Sequence, residues 1–301
     1  MGILMMDFSE INISDKQLFD KYIKESNPQA SELTFTNFFM WRDYYKFRYA
    51  LAGDLLCVVS ADDKKGPFAF APIGSCNDDN FTEALAAIKE YFNKKGWALR
   101  FSRVTEKELP YFKKSAAVKG DFIEDRDNSD YVYLTENLIN LSGKKYDGKR
   151  NHIKRFKKQY EYEYVILGPE HVDECSRIML EWCKSRDCGC QRGEYCERHA
   201  NMELLQNYEV LGCKGAIIKV DGRFEAFTVG EMLNSDTAVI HTEKANSAIH
   251  GLYTFINQQF CEHEWKDTMY INREQDLGIE GIRKAKLSYN PVMMIRKYNI
   301  L

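Results

Sequence analysis

Hydrophobic and polar residues alternate between helical and strand-like spacing along the first half of the chain. "SDKQLFDKYIKES" carries apolar residues at helical spacing behind a Ser-Asp cap, and "TNFFMWRDYY" predicts a second helix. Three apolar runs separated by turn residues predict antiparallel strands: "FRYAL", "DLLCVVS" and "FAFAPIG". A helix near 81–92, a strand "WALRFS", a short helix "TEKELPYFKKS" and a strand "YVYL" follow.

The second half repeats this order of elements. After the strand "YEYVIL", the pattern predicts helices at 170–184 and 196–209, then three strands with a hairpin turn at Asp221-Gly222. A helix, the strand "TMYIN", the helix "IEGIRKAKL" and the strand "VMMIRKY" complete it. We therefore predict an α+β protein of two related domains, 1–136 and 137–301, each with a mixed, mostly antiparallel sheet flanked by helices.

Composition narrows the class of protein. With 301 residues and 44% hydrophobic residues, the chain is long enough to bury a sizeable core, and its net charge of -3 argues against a wholly basic nucleic-acid binder. No apolar run reaches the roughly 18 residues of a membrane span, and the start lacks a signal peptide. Nine scattered cysteines fit a reducing compartment. We expect a cytoplasmic protein without a membrane span.

The order of elements resembles the GNAT acyltransferase fold, and a tandem pair is similar to the Fem peptidyltransferases. Three segments resemble the family of the C-terminal catalytic part of phosphatidylglycerol lysyltransferase more closely: "YDGKRNHIKRFKKQY", "AVIHTEKAN" and "INREQDLGIEGIRKAKLSYNP". The resemblance implies a transferase that moves an acyl or aminoacyl group to an amine or hydroxyl by direct attack. Its co-substrate would be an aminoacyl-tRNA or an acyl-CoA, with no tightly bound cofactor.

The resemblance also locates a cleft. In GNAT domains the strands before and after the central helix splay apart, and here these strands are "TAVIHTE" and "TMYIN". Glu243 is the predicted general base, Asn272 a predicted donor to the oxyanion, and Tyr289 matches the position of a tyrosine that protonates the leaving group. A structural or solvated role for each residue is the alternative.

Further polar residues surround the predicted cleft, and we expect them to bind the donor or the acceptor. They are His241 and Lys244 on the first strand, Glu274 and Gln275 after the second, and Arg283 and Lys286 on the next helix.

One motif of CoA-dependent GNAT domains is missing. A Q/R-x-x-G-x-G/A loop normally holds the CoA pyrophosphate at the start of the central helix. This sequence has "EKANSAIHG", in which Gly251 is the only glycine and lies inside the predicted helix. The missing motif favours aminoacyl-tRNA over acetyl-CoA as the donor. The alternative is a pyrophosphate loop whose sequence has diverged.

A basic segment bears on the same choice. Residues 144–158 contain eight Lys or Arg residues against one acid, Asp147, which predicts an anion-binding surface or simply a solvated helix face. The partner would be a tRNA acceptor end, CoA or a lipid headgroup, and the acceptor substrate a small molecule, peptide or lipid headgroup. Within this segment, Arg150 and Asn151 are the predicted donor-binding residues.

The cysteines give weaker signals. Five potential zinc ligands fall within 17 residues, but without paired C-x-x-C spacing, so reduced thiols are the favoured interpretation. They are Cys183, Cys188, Cys190, Cys196 and His199. No cysteine elsewhere has the partner pattern of a nucleophile.

A different class of function also stays open, namely a non-catalytic GNAT-like binding module for RNA or a modified peptide.

Overall fold

A computed structural model describes residues 6–62, 66–185 and 197–301. Within these ranges the chain forms two compact units, each built on a seven-stranded mixed sheet. The first unit contains the chain up to Asp130 together with residues 275–278 and 294–301. The second contains residues 131–274 and 279–293.

The first unit has four α-helices among its described residues, flanking its sheet. The helices are α1 Lys16–Ser26, α2 Phe35–Tyr45, α3 Asp78–Lys95 and α4 Leu109–Lys114. The strands are β1 Ser9–Glu10, β2 Phe47–Ala52, β3 Leu55–Ser60, β4 Phe68–Ala69, β5 Phe101–Thr105, β6 Phe122–Glu124 and β14 Lys297–Ile300. Their order in the sheet is β1-β2-β3-β4-β5-β14-β6, with β4 and β5 parallel.

The central helix of the first unit shows how the sequence pattern becomes packing. The Asn77 side chain accepts hydrogen bonds from the backbone N–H groups of Asp79 and Asn80, which begins α3. One face of α3 is fully buried on the sheet, and Gly96 in a left-handed conformation ends the helix.

The second unit has seven α-helices among its described residues, around its own sheet. Its helices are α5 Thr135–Asn140, α6 Asp147–Gln159, α7 Val172–Ser185, α8 Glu197–Gln206, α9 Tyr208–Leu211, α10 Leu252–Glu264 and α11 Glu280–Leu287. Its strands are β7 Asp130–Leu134, β8 Tyr162–Ile166, β9 Lys214–Val220, β10 Arg223–Met232, β11 Thr237–Ala245, β12 Tyr270–Asn272 and β13 Met293–Ile295. Their order is β13-β7-β12-β11-β10-β9-β8, with β11 and β12 parallel.

The last strand of each half belongs to the sheet of the other half. The end of "VMMIRKY" forms β14, which pairs with β5 and β6 of the first sheet. Conversely, "YVYL" lies in β7, which pairs antiparallel with β12. The compact units therefore do not follow the predicted division at residues 136 and 137. The hydrophobic pattern of a buried strand is the same in either sheet, so periodicity alone does not choose the partner.

A contact between α6 and α10 builds the core of the second unit. Ile153 and Phe156 of α6 are buried against Leu252, Phe255 and Ile256 of α10. This contact holds α6 beside the central helix.

Among the described residues, none of the helices has the length and apolar character that crossing a lipid bilayer requires.

Candidate functional site

Two parallel strands of the second unit separate after a short pairing. β11 and β12 pair over three positions, from Thr237 with Tyr270 to Val239 with Asn272. β12 then ends, whereas β11 continues to Ala245. The pairing of the two strands therefore stops at Val239, six residues before the end of β11. Polar side chains from the free part of β11 and from the residues after β12 meet at this point.

A β-bulge sets the direction of His241. Val229 pairs with Thr242 and Gly230 pairs with Ile240, which leaves His241 as an extra residue on β11. A Cβ atom on Gly230 would lie 2.5 Å from the carbonyl oxygen of Val239, so the bulge depends on a residue without a side chain.

The imidazole of His241 is enclosed by two carboxylates. Its Nε2 lies 2.8 Å from Glu231 Oε1, and its Nδ1 lies 3.2 Å from Glu274 Oε1. Burial alone would lower the pKa of His241, but the hydrogen bonds and charges of Glu231 and Glu274 raise it to about 9. His241 is therefore an imidazolium at neutral pH. It orders the segment after β12 and cannot accept a further proton there.

Glu243 and Arg273 form an ion pair across the gap between the strands. Arg273 Nη2 donates to Glu243 Oε1 at 3.1 Å, and Asn257 Nδ2 of α10 donates to Glu243 Oε2 at 3.1 Å. Burial alone would lower the pKa of Arg273, but the charge of Glu243 outweighs burial and raises it. The predicted base thus accepts two hydrogen bonds from protein groups.

Two polar atoms of this cluster are buried without a hydrogen-bond partner in the described part of the chain. They are Arg273 Nη1, a donor, and Asn257 Oδ1, an acceptor. A buried polar atom that stays unpaired costs about 1–3 kcal/mol, so such atoms are uncommon in native structures. The cluster therefore has one uncommitted donor and one uncommitted acceptor on residues that contact Glu243.

Tyr289 belongs to the same cluster of polar side chains as Glu243, Arg273 and Asn257. The guanidinium carbon of Arg273 lies 4.8 Å from the Tyr289 ring centroid. Burial raises the pKa of Tyr289 despite the opposing charge of Arg273, so the phenol keeps its proton. The Tyr146 hydroxyl donates to the Tyr289 carbonyl at 2.9 Å, which fixes the backbone after α11.

Lys149 lies over the ring of this tyrosine. Its Nζ is 3.8 Å from the Tyr289 ring centroid. Burial and the charge of Arg273 together lower the pKa of Lys149 to about 8, against the opposing charge of Glu243. A substantial fraction of Lys149 is therefore neutral at slightly alkaline pH. Lys149 therefore belongs both to the basic segment 144–158 and, through its contact with Tyr289, to the cluster.

Gly251 lies at a different position from the one predicted, and its missing side chain allows two helices to pack closely. Helix α10 begins at Leu252, so Gly251 precedes the helix instead of lying inside it. Its φ is 90°, and a Cβ atom there would lie 2.5 Å from the carbonyl oxygen of His152 in α6. The glycine is needed because the α6 backbone approaches the start of the central helix.

Asn272 and Lys286 shape the loop that follows β12. The fully buried Asn272 accepts a hydrogen bond at Oδ1 from the backbone N–H of Glu274, which has a left-handed φ of 57°. Lys286 donates to the carbonyl oxygens of Arg273 and, at 3.0 Å, Glu274. These contacts hold Arg273 and Glu274 in place. The oxyanion role of Asn272 and the substrate-binding role of Lys286 stay predictions.

Two other predicted binding residues have structural partners of their own. Lys244 is buried, donates to Glu197 at 2.7 Å and lies 4.0 Å from the Trp182 ring centroid. Arg150 donates to the carbonyl oxygens of Leu141 and Gly143 and to Asp147. These contacts fix both cations in the second unit.

The remaining predicted binding residues have three different surroundings. Asn151 is exposed on α6, and Arg283 is half-buried on α11. Gln275 belongs to the first unit, where its Oε1 accepts from Ser31 Oγ at 3.5 Å. The binding roles of these three residues stay predictions.

The proposed zinc ligands fall mostly outside the described residues. Cys188, Cys190 and Cys196 lie in 186–196, of which nothing is described. Cys183 is buried in α7 and His199 is exposed on α8. Among the described residues, no group of three or more His, Cys, Asp or Glu side chains is arranged to hold a metal ion.

Three members of the cluster were not predicted from the sequence: Lys149, Asn257 and Arg273. Lys149 precedes the buried Ile153 by four residues and Phe156 by seven, so helical spacing could have placed it on the inner face of α6. Arg273 directly follows Asn272, and its polar neighbours gave the stronger signal. Asn257 shares the buried face of α10, where apolar periodicity concealed it.

Several known proteins are similar to this chain over most of its length. A crystallised conserved protein of unknown function from Bacteroides thetaiotaomicron is 35% identical, with 98% of this chain and 99% of that chain covered and a TM-score of 0.90. An uncharacterized protein of Mycoplasmoides gallisepticum is 26% identical over 233 residues, or 76% of this chain and 73% of the relative. The structure of L-PGS from Bacillus licheniformis is 14% identical, covering 95% and 91%, with a TM-score of 0.66.

More distant structures establish the fold. FemX superposes with a TM-score of 0.60 at 10% identity, and a tandem GNAT protein from the clavulanic acid biosynthesis pathway with 0.51 at 9%, each covering 98% of both chains. The predicted α+β fold of two tandem GNAT-like domains is confirmed. The model of the family described as phosphatidylglycerol lysyltransferase, C-terminal, matches residues 23–301. The chain therefore belongs to the phosphatidylglycerol lysyltransferase C-terminal family.

Proposed function

We propose that this protein is an aminoacyltransferase that moves an aminoacyl group from aminoacyl-tRNA to an amine or hydroxyl acceptor. The observation that carries the proposal is the pair of buried atoms without a partner in the described part of the chain, Arg273 Nη1 and Asn257 Oδ1, beside Glu243 of β11. Membership of the family supports the same class of reaction. A lysyl group is the first aminoacyl group to test, because the family is named for a lysyltransferase.

The proposed step is a direct transfer. The acceptor nitrogen or oxygen bonds to the carbonyl carbon of the ester, and the bond from that carbon to the ribose oxygen of the tRNA breaks. Negative charge forms on the carbonyl oxygen in the tetrahedral intermediate, where a fixed cationic donor lowers its energy. Arg273 Nη1 is our proposed donor, and Asn257 Oδ1 is the proposed acceptor for an N–H or O–H group of the substrates.

The attacking group must lose a proton and the leaving oxygen must gain one. Tyr289, which keeps its proton, is the proposed acid for the ribose oxygen. For the base, Glu243 was predicted from the sequence, but its carboxylate already accepts from Arg273 and Asn257. Lys149, with a pKa lowered to about 8, is the competing base. The two assignments differ in their pH dependence and can be separated.

Two features favour tRNA over CoA as the donor. A GNAT domain holds the CoA pyrophosphate at the start of its central helix. Here the carbonyl oxygen of His152 lies 2.5 Å from the position that a Cβ atom would take at Gly251, so the α6 backbone packs directly against the start of this helix. In addition, Lys154, Arg155, Lys157 and Lys158 are exposed on α6 and suit the phosphates of an RNA.

The test measures label transfer from lysyl-tRNA carrying labelled lysine. The acceptors are vesicles containing phosphatidylglycerol, which offers a hydroxyl, and a lysine-containing peptide, which offers an amine. We expect transfer to one acceptor, loss of transfer after RNase treatment, and none from labelled acetyl-CoA. Transfer from acetyl-CoA alone would replace the tRNA assignment. Binding of tRNA without any transfer would favour the non-catalytic binding module.

Variants then assign the residues. Arg273→Lys keeps the charge but loses the planar fork that donates to the oxyanion. We expect it to lower the transfer rate by about 100-fold or more, as the loss of an oxyanion donor or of a base does. If Lys149 is the base, the wild-type rate rises with pH through about 8, because deprotonation supplies the active form, and Lys149→Met abolishes both the rise and the rate.

A matched control removes charge from the same helix. Lys154→Met takes an exposed lysine from α6 and should weaken tRNA binding without changing the pH profile. If Glu243→Gln abolishes transfer while Lys149→Met leaves the rate and its pH profile unchanged, Glu243 is the base.

A further inference from the structure

The first unit contains a separate cavity of about 180 Å³. Its lining includes Tyr45, Phe68, Arg100, Arg103 and Asp125. All of these residues belong to the first unit, whereas the proposed catalytic cluster belongs to the second. The volume equals that of about six waters at roughly 30 Å³ each, which suits a molecule with a single ring.

A β-bulge directs two residues of β5 toward the cavity. Tyr298 pairs with Val104 and Ile300 pairs with Phe101, so Ser102 and Arg103 together oppose Asn299. Arg103 has a φ of 60°, a left-handed conformation that non-glycine residues seldom adopt.

Arg103 is held rigidly in this conformation. Its Nε donates to Glu32 at 3.1 Å, and its Nη2 donates to the Tyr45 hydroxyl at 3.0 Å. The guanidinium carbon lies 5.0 Å from the ring centroids of both Tyr45 and Phe68. These contacts build one wall of the cavity from a fixed cation and two aromatic rings.

Arg100 supplies a donor that lacks an acceptor. Its Nε is buried and has no hydrogen-bond partner in the described part of the chain, while its Nη2 makes a long bond of 3.4 Å to Asn299 Oδ1. The nearby Asp125 carboxylate is already engaged by the side-chain amides of Asn128 at 2.9 Å and Asn299 at 3.0 Å. Arg100 is thus left to bind an anion from outside the protein.

We propose that this cavity binds a small planar carboxylate, whose ring contacts Tyr45 and Phe68 where they line the cavity and whose carboxylate accepts from Arg100. An arginine favours a carboxylate because its N–H groups match the two oxygens. The aromatic wall gives a flat ring more contact than an aliphatic acid of the same charge. The site is distinct from the proposed transferase site and does not depend on it.

The experiment titrates the whole chain with benzoate and follows ligand-observed NMR signals. Benzamide, which has the same shape without the charge, is the matched ligand control, and inorganic phosphate and acetate test anions without a ring. We expect saturable binding of benzoate, with benzamide, acetate and phosphate each weaker by about tenfold or more.

Variants connect the binding to the cavity. Arg100→Met should weaken benzoate about tenfold, and Phe68→Leu should weaken benzoate while leaving acetate unchanged. Arg296→Met is the control, because it removes an exposed arginine of the first unit that is paired with Glu106 outside the cavity. Circular dichroism and thermal unfolding verify that each variant is folded.

Three results would overturn the proposal. They are no saturable binding of benzoate to the wild-type protein, equal binding to folded Arg100→Met, or equal binding of phosphate and benzoate.

Discussion

The buried imidazolium of His241 makes protein stability depend on pH in a defined way. Its side chain is fully buried, and its pKa is raised from 6.5 to about 9 by Glu231 and Glu274. A group whose pKa is higher in the folded state stabilises that state most below its unfolded pKa. The contribution of His241 is therefore complete below about pH 6.5 and is lost as pH rises through about 9.

The size of this contribution follows from the pKa difference. Each tenfold change in proton affinity corresponds to about 1.4 kcal/mol, so a rise from 6.5 to about 9 contributes about 3 kcal/mol. This is a large fraction of the 5–15 kcal/mol by which a domain is typically stable.

The assay is urea unfolding of the wild-type protein and of His241→Asn between pH 6 and 10. The difference between the two free energies of unfolding removes the common effect of other titrating groups, including Lys149. We expect the wild-type advantage to fall by about 3 kcal/mol across this range. A difference that stays constant with pH would show that His241 is not charged in the folded protein and would refute the argument.

Two further predictions concern stability. Lys297→Met removes the buried cation that lies 2.5 Å from Glu32 and 2.6 Å from Asp130, so that Arg103 alone stays paired with Glu32, and should cost about 3–5 kcal/mol. Urea unfolding of the wild-type and variant proteins at neutral pH measures the loss. Gly251→Ala should cost about 1–3 kcal/mol, because φ is 90° and the added Cβ meets a carbonyl. Gly148→Ala, on α6 with open space around it, is the control and should stabilise by about 0.5–1 kcal/mol. Equal effects in the two glycine variants would contradict the close approach of α6.

Sequence alone determined the elements and their order. Helical spacing identified α3 and α10, and alternation around the Asp221-Gly222 turn identified β9 and β10. These predictions succeeded because burial of one face leaves a period of 3.6 or 2 in the sequence. Together with the family resemblance, they were sufficient for the fold.

The sequence identified only some of the residues that form the candidate site. The sequence pointed to the ends of β11 and β12, where Glu243 and Arg273 pair, and to Tyr289 after α11. It did not reveal that Lys149 approaches Tyr289, because a lysine within a basic run has the same pattern whether it is solvated or half-buried.

Tertiary structure alone decided how the two halves share their strands and where charges are buried. β14 joins the first sheet and β7 joins the second, although each strand was assigned from the sequence to its own half. Lys297 becomes a buried cation between Glu32 and Asp130, which are 265 and 167 residues away in sequence. A strand's pattern records that it is buried but not which backbone it pairs with, and a charge's partner is set by distance in space.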